Sequence, residues 1–339
     1  MANAISSDRE SVERDPERRG VTRRALITGL AASAVAPAFA AEGPEGVDPN
    51  RIVFFADPHI SGKWSVHHQK KFLARFVGEV LALKPRPANL VVLGDLANGL
   101  GFVEDYRDFA KIVAPIEKAG IRLTLGMGNH DKRRNFLEVY PRYAETTKVP
   151  GRIVSEVNTP NADFILLDTL WEAEKLEEGN HVDGQLDAAQ RAWLEKRLAA
   201  ATKPTFVGAH HHLYESGVGL RKLLVQSPKV HGYIYGHEHE WYTSTAHDGS
   251  YHNRQTIRTV CMPSAGHFGD IGYCIFDIGP ESATMSLRQA DHFFNYDPPP
   301  DKRQKGWDAI VAENQGRKMT FYYDKPAAFQ DSRPWMQGK

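Results

Sequence analysis

Five apolar runs in this chain each stop at residues able to bind a metal ion, and always at the same end of the run. Arg51-Ile52-Val53-Phe54-Phe55-Ala56 meets Asp57-Pro58-His59, and Leu90-Val91-Val92-Leu93 meets Gly94-Asp95. Arg122-Leu123-Thr124-Leu125 leads through Gly126-Met127-Gly128 into Asn129-His130-Asp131. Thr205–Ala209 ends at His210-His211-His212, and Val230–Tyr235 at Gly236-His237-Glu238-His239. Short apolar runs rich in β-branched residues read as buried strands. In open α/β sheets ligands bind outside the carboxyl ends of strands, so these polar residues are expected along one rim. Asp95 has two carboxylate oxygens and is the candidate to hold two cations at once. A single histidine after a strand is usually an ordinary hydrogen-bonded side chain. Apolar strands have no packing reason to repeat Asp or His at one end five times.

Between these strands the spacing predicts helices. Phe72, Phe76, Val80 and Leu83 recur with helical period within 65–83, and a second helix is expected over 102–118, which contains Pro115. Ile153–Val157 and Phe164–Asp168 read as consecutive strands, residues 185–200 as an amphipathic helix, and 243–289 as mainly strand. Strand and helix in alternation argue for a layered α/β fold. The last fifty residues read as an extension that wraps the domain or ends disordered. The expected division is therefore 1–40, 41–290 for the catalytic domain, and 291–339 for the extension.

Lys+Arg and Asp+Glu are equal at 42 each, so the overall charge gives no reason to expect nucleic acid as a partner. Fifteen histidines stand against two cysteines, so any metal chemistry rests on imidazole and carboxylate. Cys261 and Cys274 read as buried free thiols in preference to a disulfide.

The N-terminal stretch reads as an export signal. Arg23-Arg24 precede an apolar run, and Ala38-Phe39-Ala40 is a small-x-small cleavage site. The paired arginines suggest the twin-arginine export machinery, with cleavage after Ala40 and a periplasmic or secreted product. A membrane anchor fits less well, because Ala25–Ala40 is interrupted by Gly29 and Pro37 and falls short of the ~20 residues a spanning helix needs.

Asp-x-His, Gly-Asp, Gly-Asn-His-Asp, a histidine-rich strand end and Gly-His-x-His, in that order over residues 51–278, resemble the calcineurin-like metallophosphoesterases. The segment Gly184–Leu198, with Gln190 and Trp193-Leu194-Glu195, is similar to the helix before that family's fourth motif. The histidine-rich fourth motif and the signal are most similar to its bacterial class III cyclic-nucleotide phosphodiesterase and glycerophosphodiesterase branch. The resemblance implies a four-layer α/β/β/α sandwich of two mixed β-sheets with the site at strand ends. It also implies two divalent metal ions (Mn, Fe, Zn or Co) sharing Asp95. Asp57, His59 and His239 would complete one site; Asn129, His210 and His237 would complete the other. Two ions ~3.5–4 Å apart clamp the attacking and leaving oxygens of an in-line displacement, with a bridging hydroxide as nucleophile.

His130 is implied to face the substrate, where it stabilises the equatorial phosphoryl oxygens or protonates the leaving alkoxide, and Asp131 to orient its ring. Neighbours on an extended chain point to opposite faces, so His212 is the alternative to His210. Where that family often has Pro after the histidine pair, Leu213-Tyr214 follow here. Trp64 and His267 are candidate substrate contacts. Gly179-Asn180-His181 repeats the third motif without a preceding strand and reads as a surface loop, and His67 and His68 read as solvent-facing. The expected activity is hydrolysis of a small-molecule phosphoester, diesters slightly before monoesters, with no stable membrane anchor. The competing readings are a phosphomonoesterase of the same fold and a non-catalytic protein that binds phosphate or a phospholipid head group. A purple-acid-phosphatase-like enzyme would want a metal-binding Tyr near Asp95, and none is there.

Overall fold

In the computed structural model the described residues are 46–62, 67–175, 177–247, 256–293 and 306–324. The expected export signal and Trp64 lie outside them. The first half runs β1 (Val47–Phe55), α1 (His67–Ala82), β2 (Arg86–Val92), α2 (Val103–Lys118), β3 (Arg122–Leu125), α3 (Arg133–Val139), α4 (Arg142–Thr146), β4 (Ser155–Asn158) and β5 (Asp163–Leu166). It continues with α5 (Ala188–Ala199), β6 (Thr205–Gly208), α6 (Val218–Gln226), β7 (Val230–Tyr235), β8 (Tyr242–His247), β9 (Thr256–Cys261), β10 (Gly269–Ile278), β11 (Ser282–Phe293), α7 (Trp307–Asn314) and β12 (Lys318–Tyr322).

Two six-stranded sheets form, in the orders β12-β11-β10-β1-β2-β3 and β4-β5-β6-β7-β9-β8. Both are mixed: β1, β2 and β3 are parallel while β10 is antiparallel to β1, and β5, β6, β7 and β9 are parallel between antiparallel edges β4 and β8.

Strand alternation decides which side chain enters which layer. From β1, Ile52 and Phe54 point into a core shared with Phe164, Phe206, Ile234 and Val260 of the second sheet. Val53 and Phe55 point the other way, against Leu73, Phe76, Val77 and Val80 of α1 and Tyr106, Phe109, Val113 and Ile116 of α2. The residues of each helix recur three or four apart, the spacing of a helical stripe packed on a sheet. On the far side, Ile165, Val207 and Tyr233 meet Leu194 and Leu198 of α5 and Leu220 and Leu224 of α6. The layers are therefore helix, sheet, sheet, helix. The runs Ile52–Ala56 and Leu90–Leu93, with core on both faces, are continuously apolar, as parallel strands covered on both sides require.

One boundary changes. The division at 290 falls inside β11, and β12 pairs antiparallel with β11 from Ser282–Tyr322 to Ser286–Lys318, so residues 318–322 complete the first sheet. Cys261 and Cys274 are buried free thiols, as expected, on strands of different sheets. Among the described residues, no helix is long and apolar enough to cross a membrane.

Candidate metal centre

The parallel strands β1, β2 and β3 of one sheet and β6 and β7 of the other deliver the polar residues that follow them to one place. Asp57 N–H donates to the Gly94 carbonyl (3.2 Å) and His59 N–H to that of Asp95 (3.0 Å), which joins the first two loops. The amide of His237 donates to Asp57 Oδ2 (3.0 Å), which ties one sheet to the other at the site. These loops approach so closely that two of them need glycine. A Cβ on Gly94 (φ +120°) would stand 2.7 Å from the Gly128 nitrogen, and one on Gly128 would collide with the Asp95 carboxylate. The non-glycine residues with positive φ among the described residues are Asp57, His59, Asp95, His237 and His239. All five belong to the expected ligand set.

The donor atoms converge. His59 Nε2 lies 3.2 Å from His239 Nε2 and 3.4 Å from Asp95 Oδ2, and His239 Nε2 is 3.3 Å from Asp57 Oδ1. On the other side, His210 Nε2 is 3.0 Å from Asn129 Oδ1, 3.2 Å from Asp95 Oδ2 and 3.2 Å from His237 Nδ1. Asp95 Oδ2 thus faces both groups. Atoms bonded to one transition-metal ion at roughly 2.1 Å stand about 3.0–3.4 Å apart at octahedral or tetrahedral angles, so this spacing fits a shared ion in each group. Asp57, Asp95 and His210 also have ligand atoms within 4.8 Å of one another.

The charges fit as well. Asp57 and Asp95 are buried, and among the described residues no Lys or Arg pairs with either; their partners are histidines. Buried carboxylates without a cation are costly. Burial alone would lower the His210 imidazole, but Asp95 and Asp57 outweigh it and push it up to about 9. Burial opposes ionisation of Asp95 too, yet His210 and His130 hold its carboxyl well below the usual range. Burial, aided by His267, keeps His59 well below its ordinary value, and burial with His210 beside it brings His237 down to about 4. The donor set is imidazole, carboxylate and carboxamide, which suits Mn, Fe, Co or Zn ions.

His130 lies at the same centre, with its ring 4.9 Å from that of His59. Its Nδ1 is 3.1 Å from the Gly99 carbonyl, which can only accept, so Nδ1 is the protonated nitrogen, and the ring groups with His59 and Asp95. Asp131 does not orient that ring. Its carboxylate accepts the amides of Leu96 (3.2 Å), Ala97 (3.1 Å) and Gly128 (2.9 Å), stitching the second motif to the third. The reason is burial: a fully enclosed carboxylate is satisfied by the N–H groups that line its own loop.

His212 stands apart from the cluster, with its ring stacked on Tyr214 at 5.1 Å, so His210 is the strand-end ligand candidate. His211 is buried beside it, with Nδ1 2.8 Å from Thr169 Oγ1, and groups with His210 and His237. His267 is buried with its ring 4.0 Å from that of His59 and its Nδ1 2.5 Å from Gln69 Nε2, so it holds a ligand ring and offers little surface to a substrate. His68, expected in solvent, is also buried, with Nε2 3.2 Å from the His267 carbonyl. The repeat Gly179-Asn180-His181 is a surface loop, as expected, with Gly179 and His181 exposed, but it is anchored: Asn180 donates to the carbonyls of Asn129 (2.8 Å) and Asp131 (2.7 Å). Its likeness to the third motif was the visible signal, but nothing in the sequence placed it on that motif.

Fold and donor cluster together define a metallophosphoesterase. The chain belongs to the calcineurin-like phosphoesterase family, whose model matches residues 50–241. A curated probable cyclic nucleotide phosphodiesterase of Rhodopseudomonas palustris is 32% identical over 148 residues, which is 43% of this chain and 50% of that protein. One of Psychrobacter arcticus is 25% identical over 142 residues, 40% of this chain and 47% of that protein. The chain thus spans about half the length of these curated relatives. A solved dimetal phosphatase from Danio rerio superposes with a TM-score of 0.58 at 13% identity, covering 82% of this chain and 100% of that one, a likeness of fold.

Proposed function

We propose that this chain is an exported phosphoesterase that works with two divalent cations and cleaves phosphodiesters. The observation that carries the reading is the pair of donor groups meeting at Asp95 Oδ2, with nitrogens and oxygens 3.0–3.4 Å apart in each. Asp57, His59 and His239 would hold one cation, Asn129, His210 and His237 the other, and Asp95 both. Bound there, divalent cations supply Lewis-acid polarisation of a phosphoryl oxygen and make hydroxide available near neutral pH.

The chain's own groups do the rest. Asp57 and Asp95 keep the centre negative, so that cations are retained. His130, tautomer set by the Gly99 carbonyl, has Nε2 with which to hydrogen-bond a phosphoryl oxygen or pass a proton to a departing alkoxide. The diester preference is supported by the likeness to two probable cyclic nucleotide phosphodiesterases, and export by the paired arginines ahead of an apolar run.

The test is a Mn²⁺-supplemented screen of bis-p-nitrophenyl phosphate against p-nitrophenyl phosphate. Diester hydrolysis abolished by Asp95→Ala and by His237→Ala is expected. Full activity in chelator-treated protein would overturn the mechanism, and turnover of the monoester alone would make it a phosphomonoesterase.

A further inference from the structure

Among its described residues, the segment between β5 and α5 has no helix or strand of its own. Long irregular connections of this kind are usually functional or disordered, and this one is held by hydrogen bonds. Its anchor is Asn180. The side-chain amide donates to the carbonyls of Asn129 and Asp131, at 2.8 and 2.7 Å. Its oxygen accepts from the amide of Ala173 (3.0 Å) and from Lys132 Nζ (2.7 Å). Lys132 is itself buried and donates as well to the Glu178 carbonyl, at 2.8 Å.

Every donor and acceptor of the Asn180 carboxamide is therefore used. The two carbonyls it grips lie on either side of His130. The amide of His130 in turn donates to Asp95 Oδ1 (2.8 Å), so the peptide carrying the ring is held from both sides.

We infer that Asn180 is a positioning residue: it locks the loop that presents Asn129 to the second cation and His130 to the substrate. The inference rests on the two-cation reading for its effect on binding, but its effect on the loop stands without any cation. Carboxylate exchange separates its two jobs. In Asn180→Asp the side chain still accepts from Ala173 and Lys132 but no longer donates to the third motif, whereas Asn180→Ala removes both.

Hydrogen exchange over residues 126–133 of the metal-free protein is the first measurement. Both variants are expected to exchange at least tenfold faster there, with the other core segments unchanged. Calorimetric titration with Mn²⁺ is the second: one of two affinities falls about 10–100-fold, the range for loss of a group that orients a ligand, and the other stays. In turnover, kcat falls with KM little changed.

Wild-type exchange over 126–133 in both variants would overturn the inference. So would faster exchange spread evenly over the whole chain with both Mn²⁺ affinities intact, which is the signature of a merely structural residue. A wild type that takes up fewer than two Mn²⁺ overturns the two-cation reading instead, and the exchange result still decides the clamp.

Discussion

Asp57, His59, Asp95, His237 and His239 share a backbone conformation that L-residues avoid, with φ between 44° and 72°. Each such residue costs of order 1 kcal/mol and persists only where its surroundings over-determine it. Here the surroundings are the amide-to-carbonyl contacts between loops and the glycines that let the loops close. The strain turns five side chains inward at the point where each strand has just ended. Residue types alone marked all of these positions, since Asp and His after apolar runs have no packing purpose. The sequence could not show φ, or that the Asp131 carboxylate would be taken up by three backbone amides and the His130 ring by a carbonyl from Gly99. The prediction at this scale concerns His130. His130→Ala is expected to lower kcat on a phosphodiester by about 10²–10⁴-fold, the usual worth of a general acid, while cation uptake is unchanged. Steady-state kinetics beside a Mn²⁺ titration checks both halves, and an active variant would remove His130 from the chemistry.

Elements were legible where one period dominated. The apolar runs at 51–56 and 90–93 alternate between two cores, and Phe72, Phe76 and Val80 keep to one helical face, so β1, β2 and α1 were readable. The short α3 and α4 were not. Phe136 of α3, Tyr143 of α4 and Tyr140 between them pack as an aromatic cluster, a pattern too brief to show a period. Nor was β12, whose five residues gain their place only from pairing with β11. Helix α5 was readable as an amphipathic stretch, and the structure adds its cap. Asp187 accepts the amide of Gln190 at 2.8 Å and pairs with Arg152. Burial would raise the Asp187 carboxyl, but the Gln190 amide and Arg152 hold it below its usual value. A depressed carboxyl stabilises the fold above the unfolded value of about 4 and loses that contribution as pH falls through the folded value. Asp187→Ala is therefore expected to cost about 1 kcal/mol at pH 7. Urea titrations from pH 7 down to pH 3 should show the difference from wild type shrinking below about pH 4; a difference that grows on acidification would contradict the sign.

At the scale of the molecule, two sheets face each other so that parallel strands of both bring their carboxyl ends to one rim. Neither sheet holds a complete donor set: Asp57, His59, Asp95 and Asn129 follow strands of the first, and His210, His237 and His239 follow strands of the second. Cation binding should therefore couple to the packing of the two sheets, and Asp95 is the residue on which both donor groups depend. The most direct measurement is the number of cations each chain takes up, by elemental analysis of protein loaded with Mn²⁺ and freed of excess. Two per chain are expected for the wild type, one after His237→Ala, and fewer than one after Asp95→Ala. A wild type that binds none, or an Asp95→Ala variant that still binds two, would contradict the account.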